Sequence, residues 1–304
     1  MTQRLGHMHS DSVIEAVKVY RSGRRHTRNV KDLLKVIIIV STYCALGFLM
    51  LHRISIFEKL CIAVAMSFIL AGFLNLAHEC LHQNFFLNKQ INYFVGAIAA
   101  GVLLVNYTAY TDKHLKHHQH LGTGKDTESS VEFDSIFSYL STMTGYSFLA
   151  SQIRLNIEII FFKVPIYIRS RKRFSLSRRE ALCIFLWIIA ISMVLVLFPK
   201  NTLLLYFAPL FLAYFWLMFI GLPEHYGCRV VEPRYLTART ITSNRIVRYF
   251  MWNANFHAEH HRYPAAPSAL LEKIASEEKG QAVYRERSYA RWHLNLIRSL
   301  LRHE

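Results

Sequence analysis

Ile91–Tyr110, INYFVGAIAAGVLLVNYTAY, is long and apolar enough to cross a bilayer, and whether it does so decides the fold. His78-Glu-Cys-Leu-His82 stands before it and His114-Leu-Lys-His117-His118 after it. If the run crosses, these histidines lie on opposite faces of the membrane; if it turns back, they can meet. Gly96, Gly101, Asn92 and Asn106 interrupt it. They suit a re-entrant or interfacial element, because irregular backbone at membrane depth is tolerated only when packed on protein. We therefore expect it to stay on its own side.

Four other blocks, Leu33–Leu51, Leu60–Ala77, Ala181–Phe198 and Thr202–Leu222, approach the roughly 20 residues of a spanning helix. In a chain of 304 residues with 53% hydrophobic side chains, they weigh against a soluble core. The net charge of +16 crowds into the N-terminal arm, the stretch Arg169–Arg179 and the region after Arg229, whereas the connections His52–Lys59 and Pro199–Asn201 carry little of it. By the positive-inside rule both termini and the middle stretch are expected in the cytoplasm. The charge then answers to topology and anionic headgroups, not to nucleic acid. A fifth span through 91–110 would flip the later loops against that pattern. The first thirty residues are polar and basic, so no cleavable signal is expected. Five cysteines without a CxxC pair read as buried, reduced thiols.

The expected fold is an all-α integral membrane protein: four transmembrane helices with a cytoplasmic helical cap that holds a di-metal site. It reads as one domain over 1–304. A basic cytoplasmic arm covers 1–32 and a membrane stem covers 33–222, with interfacial segments at 91–110 and 133–168. A cytoplasmic cap covers 223–304.

This topology gathers nine histidines. On a helix each residue advances about 100°, so His78 and His82 share a face one turn apart. In His114-x-x-His117-His118 and His257-x-x-His260-His261 the last two imidazoles diverge by about 100°, so each motif can serve two metals. His225 emerges just past the fourth span. Any one of these could be a hydrogen-bonded core residue; three clusters together point to metal. Nine ligands exceed the four of a closed zinc site and would give two metals four or five nitrogens each, with open positions. Imidazole alone leaves Fe, Cu, Zn and Ni open. Open positions beside a membrane suit oxygen activation aimed at a lipid chain. Glu79, Glu224, Glu259 and Asp126 are candidate acceptors for imidazole N–H groups. No catalytic side chain is expected beyond the metal ligands. A metal transporter or haem protein is the reading from another class, but such sites lie within spans, and these motifs sit at or beyond span ends.

The three histidine motifs, their order and their spacing identify the chain as a member of the membrane fatty acid desaturase and hydroxylase superfamily. The resemblance runs from about Leu70 to Leu271. Around the third motif, Trp252-Asn-Ala-Asn-Phe-His257-Ala-Glu-His260-His261-Arg-Tyr-Pro264-Ala-Ala-Pro267 resembles bacterial desaturase-like proteins. The resemblance implies four spans and a cytoplasmic non-haem di-iron centre, two Fe ions held by the boxed histidines, with His225 as the extra ligand. It further implies O2 as co-substrate, a lipid or acyl substrate, a separate ferredoxin or cytochrome b5 type electron donor, and a bacterial inner membrane. Two departures disfavour the acyl-CoA subtype: the first motif is HxxxH, and Gly221 stands where those enzymes carry Asn four residues before the extra histidine. The expected reaction is insertion of a double bond into a fatty acyl or similar aliphatic chain. Alternatives are hydroxylation, which Pro223-Glu-His-Tyr-Gly227 keeps open by its likeness to alkane hydroxylases, or a small amino-acid-like or secondary-metabolite substrate.

Overall fold

The computed structural model describes residues 25–52, 55–128, 131–230, 232–278 and 282–303, so most of the basic arm lies outside the described residues. Helices α1 (Arg25–Leu51), α2 (Ile56–Leu81), α7 (Arg171–Leu197) and α8 (Pro199–His225) include the four stretches long and apolar enough to cross a membrane. Between α2 and α7 come α3 (Lys89–Gly101), α4 (Tyr107–His120), α5 (Ile136–Met143) and α6 (Tyr146–Ile160). After α8 come β1 (Arg239–Ile241), α9 (Arg245–Phe250), α10 (His257–Arg262), α11 (Ser268–Glu277), β2 (Tyr284–Glu286) and α12 (Tyr289–His303). Among the described residues the regular structure is helical apart from this parallel two-stranded ribbon, registered Thr240 to Arg285, and one antiparallel bridge from Thr240 to Phe256.

The spanning helices outrun their apolar blocks. Helix α2 starts at a capping box, with Ser55 and Glu58 exchanging side-chain and backbone hydrogen bonds, and continues past Ala77, so His78 lies in its last turn and His82 is its C-cap. Helix α8 likewise carries His225 in its last turn. Two prolines inside α8, Pro209 and Pro223, cannot donate to the carbonyls four residues back, and each freed carbonyl meets a side chain from elsewhere. Tyr43 of α1 donates to Leu205 O at 3.2 Å, beside the widened turn Leu203–Phe207. His293 of α12 donates through Nε2 to Phe219 O at 2.8 Å. Stem and cap are thereby pinned to one helix.

The run 91–110 does not form a spanning helix. At 13 residues, α3 is about 20 Å long. It ends at a turn where Val105 N–H returns to Ala100 O at 3.0 Å and Leu104 takes φ 59°. Tyr107, at the start of α4, then lies against Gly96, where no Cβ would fit. The chain doubles back on itself here. Its carbonyls are met from within the protein: Tyr214 donates to Leu103 O, Tyr206 to Val102 O at 3.3 Å and Asn156 to Leu104 O at 3.0 Å. Buried in this way, an irregular turn costs no unpaired backbone groups.

A polar seam fixes α4 against α7. Asn106 caps α4 through Ala109 N–H at 3.1 Å and also donates to Ser177 O at 2.8 Å. Glu180 accepts Thr108 N–H at 2.7 Å, placing a carboxylate at the positive end of the α4 dipole. One turn on, the fully buried Asp112 sits between Arg169 at 2.7 Å and Arg173 at 2.9 Å. These contacts set the height and rotation of α4, and with them three of the nine histidines. Helices α5 and α6 occupy the stretch read as an amphipathic pair; Phe137, Leu140, Tyr146 and Ile157 are exposed along them. All five cysteines are free, but only Cys80 is buried. Cys44, Cys61 and Cys183 lie on the outer surfaces of the spans, where apolar surroundings suit a thiol as well as a core does.

Candidate metal centre

Four elements deliver the nine histidines: α2 with its cap gives His78 and His82, α4 gives His114, His117 and His118, α8 gives His225, and α10 gives His257, His260 and His261. Nitrogens of His78, His82, His114, His118 and His260 all lie within 4.8 Å of one another, and those of His117, His225 and His261 form a second such group. His257 belongs with the second by its nearest contacts, Nε2 lying 2.9 Å from His225 Nε2 and 3.0 Å from His261 Nε2. Both HxxHH motifs are divided: His118 and His260 go to the first group, His117 and His261 to the second.

Hydrogen bonds to the far side of three rings, those of His114, His117 and His225, show what the near side needs. His117 Nδ1 donates to Asp126 Oδ1 at 2.7 Å and His225 Nδ1 to Thr237 O at 2.9 Å. A carbonyl and a carboxylate only accept, so both rings carry their proton on Nδ1. Their Nε2 atoms, 3.2 Å apart, therefore face each other lone pair to lone pair. In the first group His114 Nδ1 donates to Glu128 Oε2 at 3.1 Å, while its single Nε2 lone pair faces His78 and His118, each at 2.9 Å. His82 Nε2 is buried with no hydrogen-bond partner. Imidazole lone pairs that converge without protons to share fit metal cations, four or five nitrogens to each. Burial, the largest cause, and the neighbouring imidazoles hold His82, His114, His257, His260 and His261 well below the ordinary histidine range, and His118 at about 3. They are neutral at pH 7, as ligands must be.

The four carboxylates expected around the ligands have different fates. Burial would raise Asp126, but hydrogen bonds from His117 and from the N–H groups of Glu128 and Gly122 outweigh it and hold the carboxyl at about 2. Glu224 approaches His257 Nδ1 at 3.6 Å. Glu79 Oε2 accepts Ser268 N–H at 2.9 Å, joining α2 to the cap. Glu259 is a correction. About 200° round the turn from His257, it points away from the ligand face and takes Thr240 Oγ1 and Arg285 Nη2 instead, the latter at 2.9 Å. It anchors α10 to the β ribbon. The residue missed is Glu128, fourteen positions from the ring it supports; nothing in the local spacing marks it. The rest of the third motif is structural. Asn255 donates to Ile241 O at 2.8 Å, Arg262 pairs with the buried Glu278 at 3.0 Å, and Asn84 of the α2–α3 connection donates to Pro264 O at 2.9 Å.

A family model described as fatty acid desaturase matches residues 58–293, which takes in all nine histidines and the elements that place them. The chain belongs to the fatty acid desaturase family. An omega-3 fatty acid desaturase of the endoplasmic reticulum from Vigna radiata var. radiata is 27% identical over 240 residues, covering 67% of this chain and 60% of that protein. A fatty acid desaturase from Bacillus subtilis (strain 168) is 24% identical over 256 residues, 74% of this chain and 71% of that one. A delta(12) fatty acid desaturase from Mortierella isabellina is 35% identical over 98 residues, 30% of this chain and 24% of that one. The chain spans 60% or less of the plant relatives' length. A cavity of about 90 Å³ is bounded by His78, His114, His225, His257 and His260, with Tyr110 and Glu128 at its edge.

Proposed function

We propose that this chain is an O2-dependent desaturase, a single domain that inserts a double bond into a fatty acyl chain or similar aliphatic substrate. The observation that carries the reading is the pair of converging imidazole groups beside a cavity, at the ends of helices that can cross a membrane. His78, His82, His114, His118 and His260 would hold one iron, and His117, His225, His257 and His261 the other. Two bound irons would supply the use of O2 and two electrons: one –CH2–CH2– unit, O2, two electrons and two protons give –CH=CH– and two waters. The residues do the positioning. Asp126, Glu128 and Thr237 O fix ring tautomers, Asp112 and Glu180 fix α4, and the cap closes over the site through Glu79 and Asn84. The electrons would come from a separate ferredoxin or cytochrome b5 type protein. One relative, from Arabidopsis thaliana, is named as ferredoxin-dependent, and a basic face suits an acidic donor. Both termini and the histidine end would be cytoplasmic, in a bacterial inner membrane.

The test is expression in a host fed labelled fatty acids, with lipid products read by mass. Loss of two hydrogens supports desaturation; gain of one oxygen would replace it by hydroxylation. Purified protein should carry two irons per chain without haem absorbance, whereas stoichiometric zinc from an iron-replete host would overturn the assignment. His114→Ala, His225→Ala and His260→Ala should each abolish turnover with the protein still membrane-inserted. For orientation, a cysteine replacing His120 in a cysteine-free background should react with an impermeant reagent only from the cytoplasmic face; reaction only from outside would overturn the topology.

A further inference from the structure

A second cavity, about 290 Å³, lies between α2, α4 and α6 and shares two walls, Tyr110 and Glu128, with the space at the histidines. Its lining is mixed. Leu74, Val105, Phe148 and Leu155 give it apolar walls, and Val105 belongs to the turn that Tyr214 reaches from the middle of α8. Lys113, Arg154 and Glu158 add charge, and the Arg154 side chain is 78% exposed. A cavity with both kinds of wall fits an amphiphile, its tail on the apolar residues and its head at the exposed, charged mouth.

The charges at the mouth select the head. Glu158 is shared by Arg154 at 3.0 Å and Lys163 at 2.8 Å, which leaves one positive charge over. Glu128 is turned to His114. Lys113 is half-buried, and among the described residues no carboxylate lies within 4 Å of its ammonium. A lysine partly withdrawn from water next to a cavity gains most from an anion that arrives with the ligand.

We propose that Lys113 receives the anionic head of the substrate, a carboxylate or a phosphate, and that the chain attached to it runs past Tyr110 along the edge of the histidine site. The inference rests on the desaturase reading above. It makes Lys113 a specificity-determining residue: the head fixed there sets which carbons lie beside Tyr110.

Binding separates this proposal from the reading beneath it. The probes are cis-parinaric acid, its methyl ester, and phosphatidylglycerol and phosphatidylcholine carrying the same fluorescent chain, titrated into detergent-solubilised full-length protein. Lys113→Gln should weaken binding of the acid or of the phosphatidylglycerol about ten-fold or more, and Lys113→Arg should restore it. The methyl ester should bind both variants as it binds wild type, which also reports an intact fold. Whichever probe responds identifies the source of the anion, free fatty acid or lipid headgroup. Equal binding of all four probes by wild type and Lys113→Gln would overturn the proposal. If Lys113-dependent binding holds while the expressed protein produces no unsaturated lipid, the site stands and the desaturase reading falls.

Discussion

Asp126 shows how much one residue behind the ligands can control. Its carboxylate takes the His117 ring proton at 2.7 Å while Gly122 and Glu128 N–H groups hold it in place at 2.9 Å. Asn in its place keeps one acceptor but loses the charge, and its amide would face the same N–H donors. Asp126→Asn should therefore lower metal affinity at the second group about 10–100-fold and leave the first, so iron per chain falls from two toward one and turnover is lost. Glu128→Gln should lower occupancy of the first group instead. Metal analysis of the two variants tests this; equal loss from both groups in either variant would show that Asp126 and Glu128 act through the fold. The sequence announces the histidines because eight of them sit at helical intervals and His225 follows a span; Asp126, in the loop after α4, is a candidate by its carboxylate chemistry and not by adjacency. Glu128 and Lys113 escape notice because their roles arise only when the loop after α4 and helix α6 close against it. Glu259 misleads for the opposite reason: adjacency to a ligand says nothing about which way a helical side chain points.

Among the elements, α8 depends most on its neighbours. Pro209 and Pro223 each remove a helical N–H, and Tyr43 and His293 answer from positions far away in sequence. The four spans are legible because their apolar blocks are long and almost free of charge, and the return of 91–110 because Gly and Asn interrupt it. The partners of the freed carbonyls are not legible, since no periodicity links residue 219 to residue 293. His293 also accepts Tyr139 OH through Nδ1 at 2.9 Å and stacks on Phe219 at 4.2 Å, so one imidazole joins α5, α8 and α12. His293→Leu should leave both Phe219 O and Tyr139 OH unpaired at a cost of about 2–4 kcal/mol. The expected result is faster proteolysis within α12, with iron content initially unchanged because α12 contributes no ligand; unaltered protection of α12 would count against its docking through this ring.

Over the whole molecule, the histidine site is where function and stability oppose each other. Six imidazoles outside the spans, His82, His114, His118, His257, His260 and His261, are held neutral by burial and by each other. In the unfolded chain each takes up a proton near pH 6.5. Below that pH the unfolded state binds more protons than the folded state, so stability falls with falling pH, by up to about 1.4 kcal/mol per unit for each group. Above it the contribution is fully present and flat. Glu259, raised by burial against the pull of Thr240 and Arg285, acts in the reverse sense. Asp126, held at about 2, does not titrate in this range. Metal-stripped protein in detergent should therefore show a thermal midpoint that climbs steeply from pH 5 to about 6.5 and levels off above 7. Adding ferrous iron anaerobically at fixed pH should move the whole curve toward lower pH, because the metal binds only the neutral, folded set. A midpoint flat from pH 5 to 8 would mean that the imidazoles take up protons in the folded state, and the packing that brings nine of them together would then have to be looser than the distances between their rings.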